Sequence, residues 1–429
     1  MSLNQQRDHS TMPRSRKTKS KPSDLSPTTI DEHPTTEKVP IPTKESVPAI
    51  RVLLGVIAVS LISIPICYIL SYMKEMKNSL NVFLYSAVIC ISVIPVTYLL
   101  LIQHLLHVKK DLFFYVFTIF SFTAVADLLL ALTISDYSSA FHFYLEQGEV
   151  YLKTAHGMFI NYWDGTVHYA LYLIMLYSML TKRTETKFYR FLSLFWCGSI
   201  INSLIVLVGG AAVGRFGAHI KPSCLLNVPY MLFPVIFLFR QVNTRSNFIE
   251  QQQQQIKENT QRKIVTNSLL YRSFDVFFMV YMMLALLFST LRVLHALKTP
   301  LTDDSIYYRY EPYISNTSGF PLVQLLTYAF YFVPYYCVAI AALACYREQP
   351  SKFAWLPDWT MVHAGAAAQA QFSYFGSSLH NPALFPDASW TPIPPQYWWI
   401  TVTSNLLLAF VPQLFAFRIC SGNRDRDFY

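Results

Sequence analysis

Charge is scarce in this chain. Lysine, arginine, aspartate and glutamate make up 14% of its 429 residues, against 53% hydrophobic and 16% aromatic, and the mean hydropathy is +0.31. An ordinary soluble domain has about a quarter of its residues charged, so a water-facing surface of normal extent is excluded. The seven cysteines, Cys67, Cys90, Cys197, Cys224, Cys337, Cys345 and Cys420, sit singly within or at the ends of apolar runs. That spacing gives neither a disulfide framework nor a metal site. There is no Gly-rich phosphate loop, no nucleophile elbow and no pair of histidines at metal-binding spacing. No cleavable signal peptide is expected, because the first fifty residues are polar and the first apolar run already has spanning length.

What remains is a polytopic membrane protein. Runs near the roughly 20 residues that cross a bilayer occur at 52–72, 82–106, 112–134, 157–180, 190–211, 223–240, 272–297, 320–345, 359–379 and 397–419. These predict ten helices. The ninth contains Ala364-Gly-Ala-Ala-Ala-Gln-Ala-Gln371, which suits packing among other helices better than exposure to lipid. Basic residues crowd the N-terminal arm and the loops at Lys109, Lys182, Arg240 and Arg347. The alternate loops hold only Lys74, Lys77, Lys153, Arg215, Lys221, Lys298 and Arg309. An even helix number and this asymmetry put both termini in the cytosol, and the net charge of +9 then faces anionic lipid rather than nucleic acid. Asn316-Thr-Ser is a glycosylation acceptor pattern on the lumenal side of that topology.

Residues 1–48 form a basic arm rich in Ser, Thr and Pro, expected to be disordered. Two introductory helices fill 49–108, and a first four-helix unit fills 109–241. A polar linker with Gln251 to Gln255 spans 242–269, a second four-helix unit spans 270–420, and a short tail ends the chain at 421–429.

The two units share a phrase. Asn227-Val-Pro-Tyr-Met-Leu-Phe-Pro234, followed by Phe237, Phe239 and Arg240, matches Asn405-Leu-Leu-Leu-Ala-Phe-Val-Pro412, followed by Phe415, Phe417 and Arg418. Asn and Pro seven apart lie on one helix face, and each Pro frees the carbonyl of Tyr230 or Leu408. The phrase marks either a shared structural kink or a repeated ligand-facing surface. Further echoes are Glu149-Val-Tyr151 with Glu311-Pro-Tyr313, and Tyr169-Ala-Leu-Tyr172 with Tyr328-Ala-Phe-Tyr331. Four helices per unit give both copies one orientation, hence parallel repeats.

Ionisable groups inside a span cost about 2.5 to 3.5 kcal/mol each and need a partner or a purpose. In the first unit, Asp127 ends one helix and the next carries His156, Asn161, Trp163, Asp164 and His168. Asp164 and His168 are four apart, the composition of an acid/base pair and equally of a hydrogen-bonded lock between helices. The second unit offers Arg292, His295, Gln324, Gln369, Gln371, His380 and Asn405, with no deep carboxylate. If either unit performs proton chemistry it should be the first, and the second is expected to bind a neutral ligand or serve as scaffold.

The stretch Tyr151-Leu-Lys-Thr-Ala-His-Gly-Met-Phe-Ile-Asn-Tyr-Trp-Asp-Gly-Thr-Val-His-Tyr169 resembles the transmembrane 6 superfamily, as do Arg272-Ser-Phe-Asp275, Leu356-Pro-Asp-Trp359 and His363-Ala-Gly365. The resemblance covers about residues 50–420. It implies two EXPERA domains, the four-helix module shared with emopamil-binding protein, a sterol isomerase, and with the sigma-2 receptor. It also implies residence in the endoplasmic reticulum or related membranes and a role in triglyceride and cholesterol handling, including lipoprotein loading. The isomerase's first core helix offers a His and, four residues on, a Glu; this chain has Asp127 followed by Ala131.

The sequence thus reads as an all-α membrane protein with tandem EXPERA units enclosing lipid-accessible cavities, a regulator that binds sterol or lipid without a cofactor or metal. Lipid or sterol and other membrane proteins of lipoprotein assembly are the expected partners. The expected ligand-facing residues are Asp127, His156, Asn161, Trp163, Asn227, Tyr230, Gln324, Gln369 and Asn405. Two other classes compete: a sterol isomerase using Asp164 and His168, and a lipid transporter.

Overall fold

A computed structural model describes residues 46–259, 269–299, 309–345, 350–353 and 355–421. The basic arm apart from its last three residues, the end of the linker and all but the first residue of the tail lie outside them. Among the described residues there are only helices and connections. The long helices are α1 (Ala49–Tyr72), α2 (Ser79–Ile102), α3 (Leu112–Ile134), α4 (155–180), α5 (Lys187–Val213), α6 (Val228–Asn259), α7 (Leu269–Ala296), α8 (Phe320–Cys345), α9 (Leu356–Leu379) and α10 (Trp398–Ser421).

Their starts follow from local chemistry. The side chains of Asn78, Asp111, Thr154 and Thr186 accept from backbone N–H groups at 2.9, 3.0, 3.0 and 3.3 Å, satisfying first-turn donors that have no partner within the helix. Pro321 and Pro357 occupy first turns where a missing N–H costs nothing. Gln251 to Gln255, read above as part of a loop, instead continue α6. Gln, Glu and Lys are good helix formers, and no Gly or Pro interrupts residues 241–259.

Eight of these helices are long and apolar enough to cross a membrane, so the chain is an all-helical polytopic membrane protein. The other two, α4 and α9, are equally long but carry the polar residues of the sequence. In α9 the small and polar positions Ala364, Gln369, Gln371, Ser373 and Ser377 are buried, so neighbouring helices take the place lipid would have. Burial within the apolar segment is 67% for α5 and 61% for α3, against 17% for α2 and α6. The core therefore lies along α3, α5 and α9, with α2 and α6 presenting most of their surface outward.

The centre is the crossing of α5 with α9. A Cβ on Gly198 would strike the carbonyl of Val362, and one on Gly365 would strike the carbonyl of Phe195. Arg190 meets Asp358 near the start of both helices, and Asn202 meets Gln369 further along, so contacts advance together and the two run the same way. The contacts are reciprocal elsewhere too: Gly209 abuts Val323 of α8, and Gly376 abuts Phe159 of α4. Both α4 and α8 contain a π-helical turn, Asp164–His168 in one and Tyr328–Phe332 in the other. This register corrects one sequence echo. Tyr328 stands level with Asp164 rather than Tyr169, and Phe332 stands level with His168.

Candidate functional site

The residues singled out from sequence fall into several clusters rather than one pocket. The first is built on the π turn of α4. His168 Nδ1 lies 2.6 Å from Asp164 Oδ1, and its Nε2 lies 2.7 Å from Ser199 Oγ on α5. Trp163 Nε1 donates to Ser199 Oγ at 2.9 Å and to His168 Nε2 at 3.2 Å. An indole N–H can only donate, so Nε2 accepts, and the imidazole proton sits on Nδ1 facing Asp164. The π turn sets this up by widening the helix where Gly165 meets α3; a Cβ there would run into Leu128.

Asp164, His168 and Ser199 follow the contact order of a hydrolase triad. The surroundings do not. Ser199 and His168 are 0% exposed, and the indole N–H already occupies the hydroxyl oxygen. The lone pair on Nε2 is already taken by the indole N–H, and Nδ1 faces Asp164, so a substrate has no approach to either side chain in this conformation. Asp127, partly buried on α3, is near enough for the charges of Asp164 and Glu149 to act on it.

The second cluster sits at one end of the same half. Asn227 donates to Glu149 Oε1 at 2.6 Å and lies 3.3 Å from the Tyr151 hydroxyl. Glu149 is 5% exposed, and burial pushes its carboxyl up to about 7, against the opposing bonds from Tyr151, Asn227 and Tyr144. Tyr230 stacks on Phe120 at 4.2 Å and bonds Thr123.

The third cluster, in the other half, joins residues that the sequence reading had kept apart. Arg292 of α7, 0% exposed, grips both oxygens of Glu311, and its Nη2 donates to Asn405 Oδ1 at 2.8 Å. Glu311 is 3% exposed. Asn227 and Asn405 thus play parallel parts, each holding the Glu of a Glu-x-Tyr segment or its counterion.

Of the remaining residues, Asn202 and His156 bind the halves together. Asn202 donates to Gln369 Oε1 at 2.6 Å and to Gln324 Oε1 at 3.2 Å. His156 stacks flat on Phe320 at 4.6 Å. Asn161 donates to its own helix at Gly157. Asn316, the glycosylation candidate, is buried and donates to Asp387 at 3.2 Å. Ser199 and Asn202 belong to these clusters and were not singled out from sequence; they stand three apart in the fifth span, which also holds Ser193 and Ser203.

The open lipid cavities expected from sequence are absent among the described residues. Two narrow gaps lie in the second half, and neither holds more than about 10 Å³ of free space. Small-molecule pockets run roughly 300–1,000 Å³.

A family profile described as "Transmembrane 6 superfamily member 2-like, transmembrane domain" matches residues 62–252. The chain is 39% identical to Transmembrane 6 superfamily member 2 of Mus musculus over 367 residues, covering 84% of this chain and 91% of the relative. The proteins of that name from Rattus norvegicus and Homo sapiens are 38% and 36% identical, with the same coverage. No solved structure matches the chain.

Proposed function

The chain belongs to the transmembrane 6 superfamily, and on that premise we propose a multi-pass protein of the endoplasmic reticulum that regulates triglyceride and cholesterol handling, including lipoprotein loading. It acts by holding lipid or sterol against its helices and not by transforming it. We read 109–241 and 270–420 as tandem EXPERA units in one orientation, with both termini in the cytosol as the basic residues suggest. The observation that supports binding over catalysis is how the buried polar groups are used. His168, Glu149, Arg292, Asn202 and Asn405 all face other side chains of the protein. A buried network of this kind locks helices rather than presenting a proton.

The test is cellular triglyceride and secreted lipoprotein in knockout cells carrying wild type or the double variant Asn227→Ala, Asn405→Ala, at matched protein level. More secreted lipoprotein and less cellular triglyceride with wild type than with the variant are expected. Unchanged triglyceride in all lines overturns the proposal.

The 2.6 Å contact of His168 with Asp164 favours a second reading, a sterol isomerase in which this pair moves a proton while Trp163 steadies the developing cation. Sterol profiles of cells rescued with Asp164→Asn decide it: accumulation of one double-bond isomer establishes the enzyme, and identical profiles remove it.

A further inference from the structure

The two halves answer the same structural problem with different charges. Phe113 of α3 meets Phe237 of α6 at 4.4 Å, and Phe278 of α7 meets Phe415 of α10 at 5.0 Å. Fourteen residues after Phe113 is Asp127, and fourteen after Phe278 is Arg292; ten residues before the partner rings stand Asn227 and Asn405. Asp127 therefore holds the place that Arg292 holds in the second half. There the guanidinium ties Glu311 to Asn405. In the first half Asn227 donates to Glu149 directly, with a carboxyl where the cation would be.

The groups that face Glu149 are Tyr144 and Tyr151 from its own segment, Cys224 and Asn227 from the approach to α6, and Asp127 from α3. None of them is a cation. Lys221 reaches instead to the Glu146 carbonyl at 2.5 Å and the Gln147 side-chain oxygen at 3.4 Å. Without its proton, Glu149 is an anion only 5% exposed, beside a second carboxyl and with no counterion. Burial and like charge both disfavour that state.

The element that Glu149 holds has a bend point and little cover. Pro234 leaves the Tyr230 carbonyl without its helical donor, which lets α6 bend there. Only 17% of this span is buried. Ahead of the bend, residues 222–233 are tied to the body by the bonds of Asn227 to Glu149 and Tyr151 and by that of Tyr230 to Thr123.

We propose that residues 222–233 form a gate beside Asp127, shut while Glu149 carries its proton and released when the proton leaves, while the matching end of the second half stays shut because Arg292 supplies the charge. The gate goes beyond the lipid-holding reading and stands whatever molecule the first half admits. Burial holds Glu149 at about 7 in the shut form, and water returns it to the ordinary 4.5 in the open form. The proton therefore favours the shut form fully below 4.5 and ceases to do so above 7, so opening grows roughly 25-fold from pH 5.5 to pH 8.

Hydrogen exchange of the full-length protein in nanodiscs, read by mass spectrometry at pH 5.5 and pH 8 and corrected for the intrinsic pH dependence of exchange, tests the gate. Protection of peptides covering 222–233 should fall roughly 25-fold, while that of peptides covering 398–408 should hold. In Glu149→Gln, a neutral isostere, the first-half peptides should stay protected at pH 8. In Asp127→Arg, which supplies the missing cation, they should stay protected as well. The same pH response at both ends, or a Glu149→Gln protein that still loses protection at pH 8, overturns the gate. An Asp127→Arg protein that still opens overturns its counterion basis. Exchange is read without reference to bound lipid, so either failure leaves the lipid-holding reading in place.

Discussion

At Glu149 a single carboxyl links burial to pH. Its value lies near 7 in the folded protein against 4.5 in the unfolded chain. A raised value means that the folded state holds its proton longer, so the associated stability is complete below about pH 4.5 and is lost as pH climbs through 7. Detergent-solubilised protein should therefore melt at a lower temperature at pH 8 than at pH 5.5, with about 2–3 kcal/mol at stake, and Glu149→Gln should flatten that difference. A wild-type melting point that rises over the same interval contradicts the assignment. Ser199 carries the second residue-scale prediction. A fluorophosphonate probe should leave it unlabelled, because its oxygen is sealed under Trp163, and Ser199→Ala should lower stability by about 1–2 kcal/mol through the loss of two hydrogen bonds. A covalent adduct on Ser199 would establish a working nucleophile instead. Arg292 supplies the third. Arg292→Met should cost about 3–5 kcal/mol by stranding Glu311, and Arg292→Met with Glu311→Met should cost less than Arg292→Met alone. Equilibrium unfolding of the two variants measures that coupling.

Between elements, the α5–α9 crossing is set by backbone approach. Gly198→Ala and Gly365→Ala should each cost on the order of 1–3 kcal/mol by overpacking, and by similar amounts, since each added methyl meets the same kind of atom on the opposite helix. A neutral effect of either in a thermal melt would show that the helices can part. The helices themselves were legible in the sequence because spanning length and apolar composition are local properties. Even the unusual ninth helix was legible, since Ala, Gly and Gln in a row fit only against other protein. The π turns were not, because nothing in Asp164–His168 or Tyr328–Phe332 signals a widened turn without knowing what lies against it. The candidate site was legible in its residue types and not in its pairings. Asp164 with His168 is a near-neighbour pair and was read correctly as sharing a face. Ser199, the Arg292–Glu311 ion pair and the Asn202 amide bonds join distant stretches of chain, and no local pattern announces them.

For the whole molecule, parity is the testable quantity. If α4 and α9 cross the bilayer with the eight more apolar helices, the first and last residues emerge on one side. Epitope tags at both ends should then share protease sensitivity in sealed microsomes, and opposite sensitivities would remove one of those two helices from the membrane. The amides of Asn202, Gln324 and Gln369 have a broader consequence. In a setting without competing water, sliding one half past the other would strand several of these groups at once, so the halves move as a single rigid float. A rocking carrier is thereby disfavoured. The thinly covered flanks of α2 and α6 are where such a body offers its rim to lipids and neighbours.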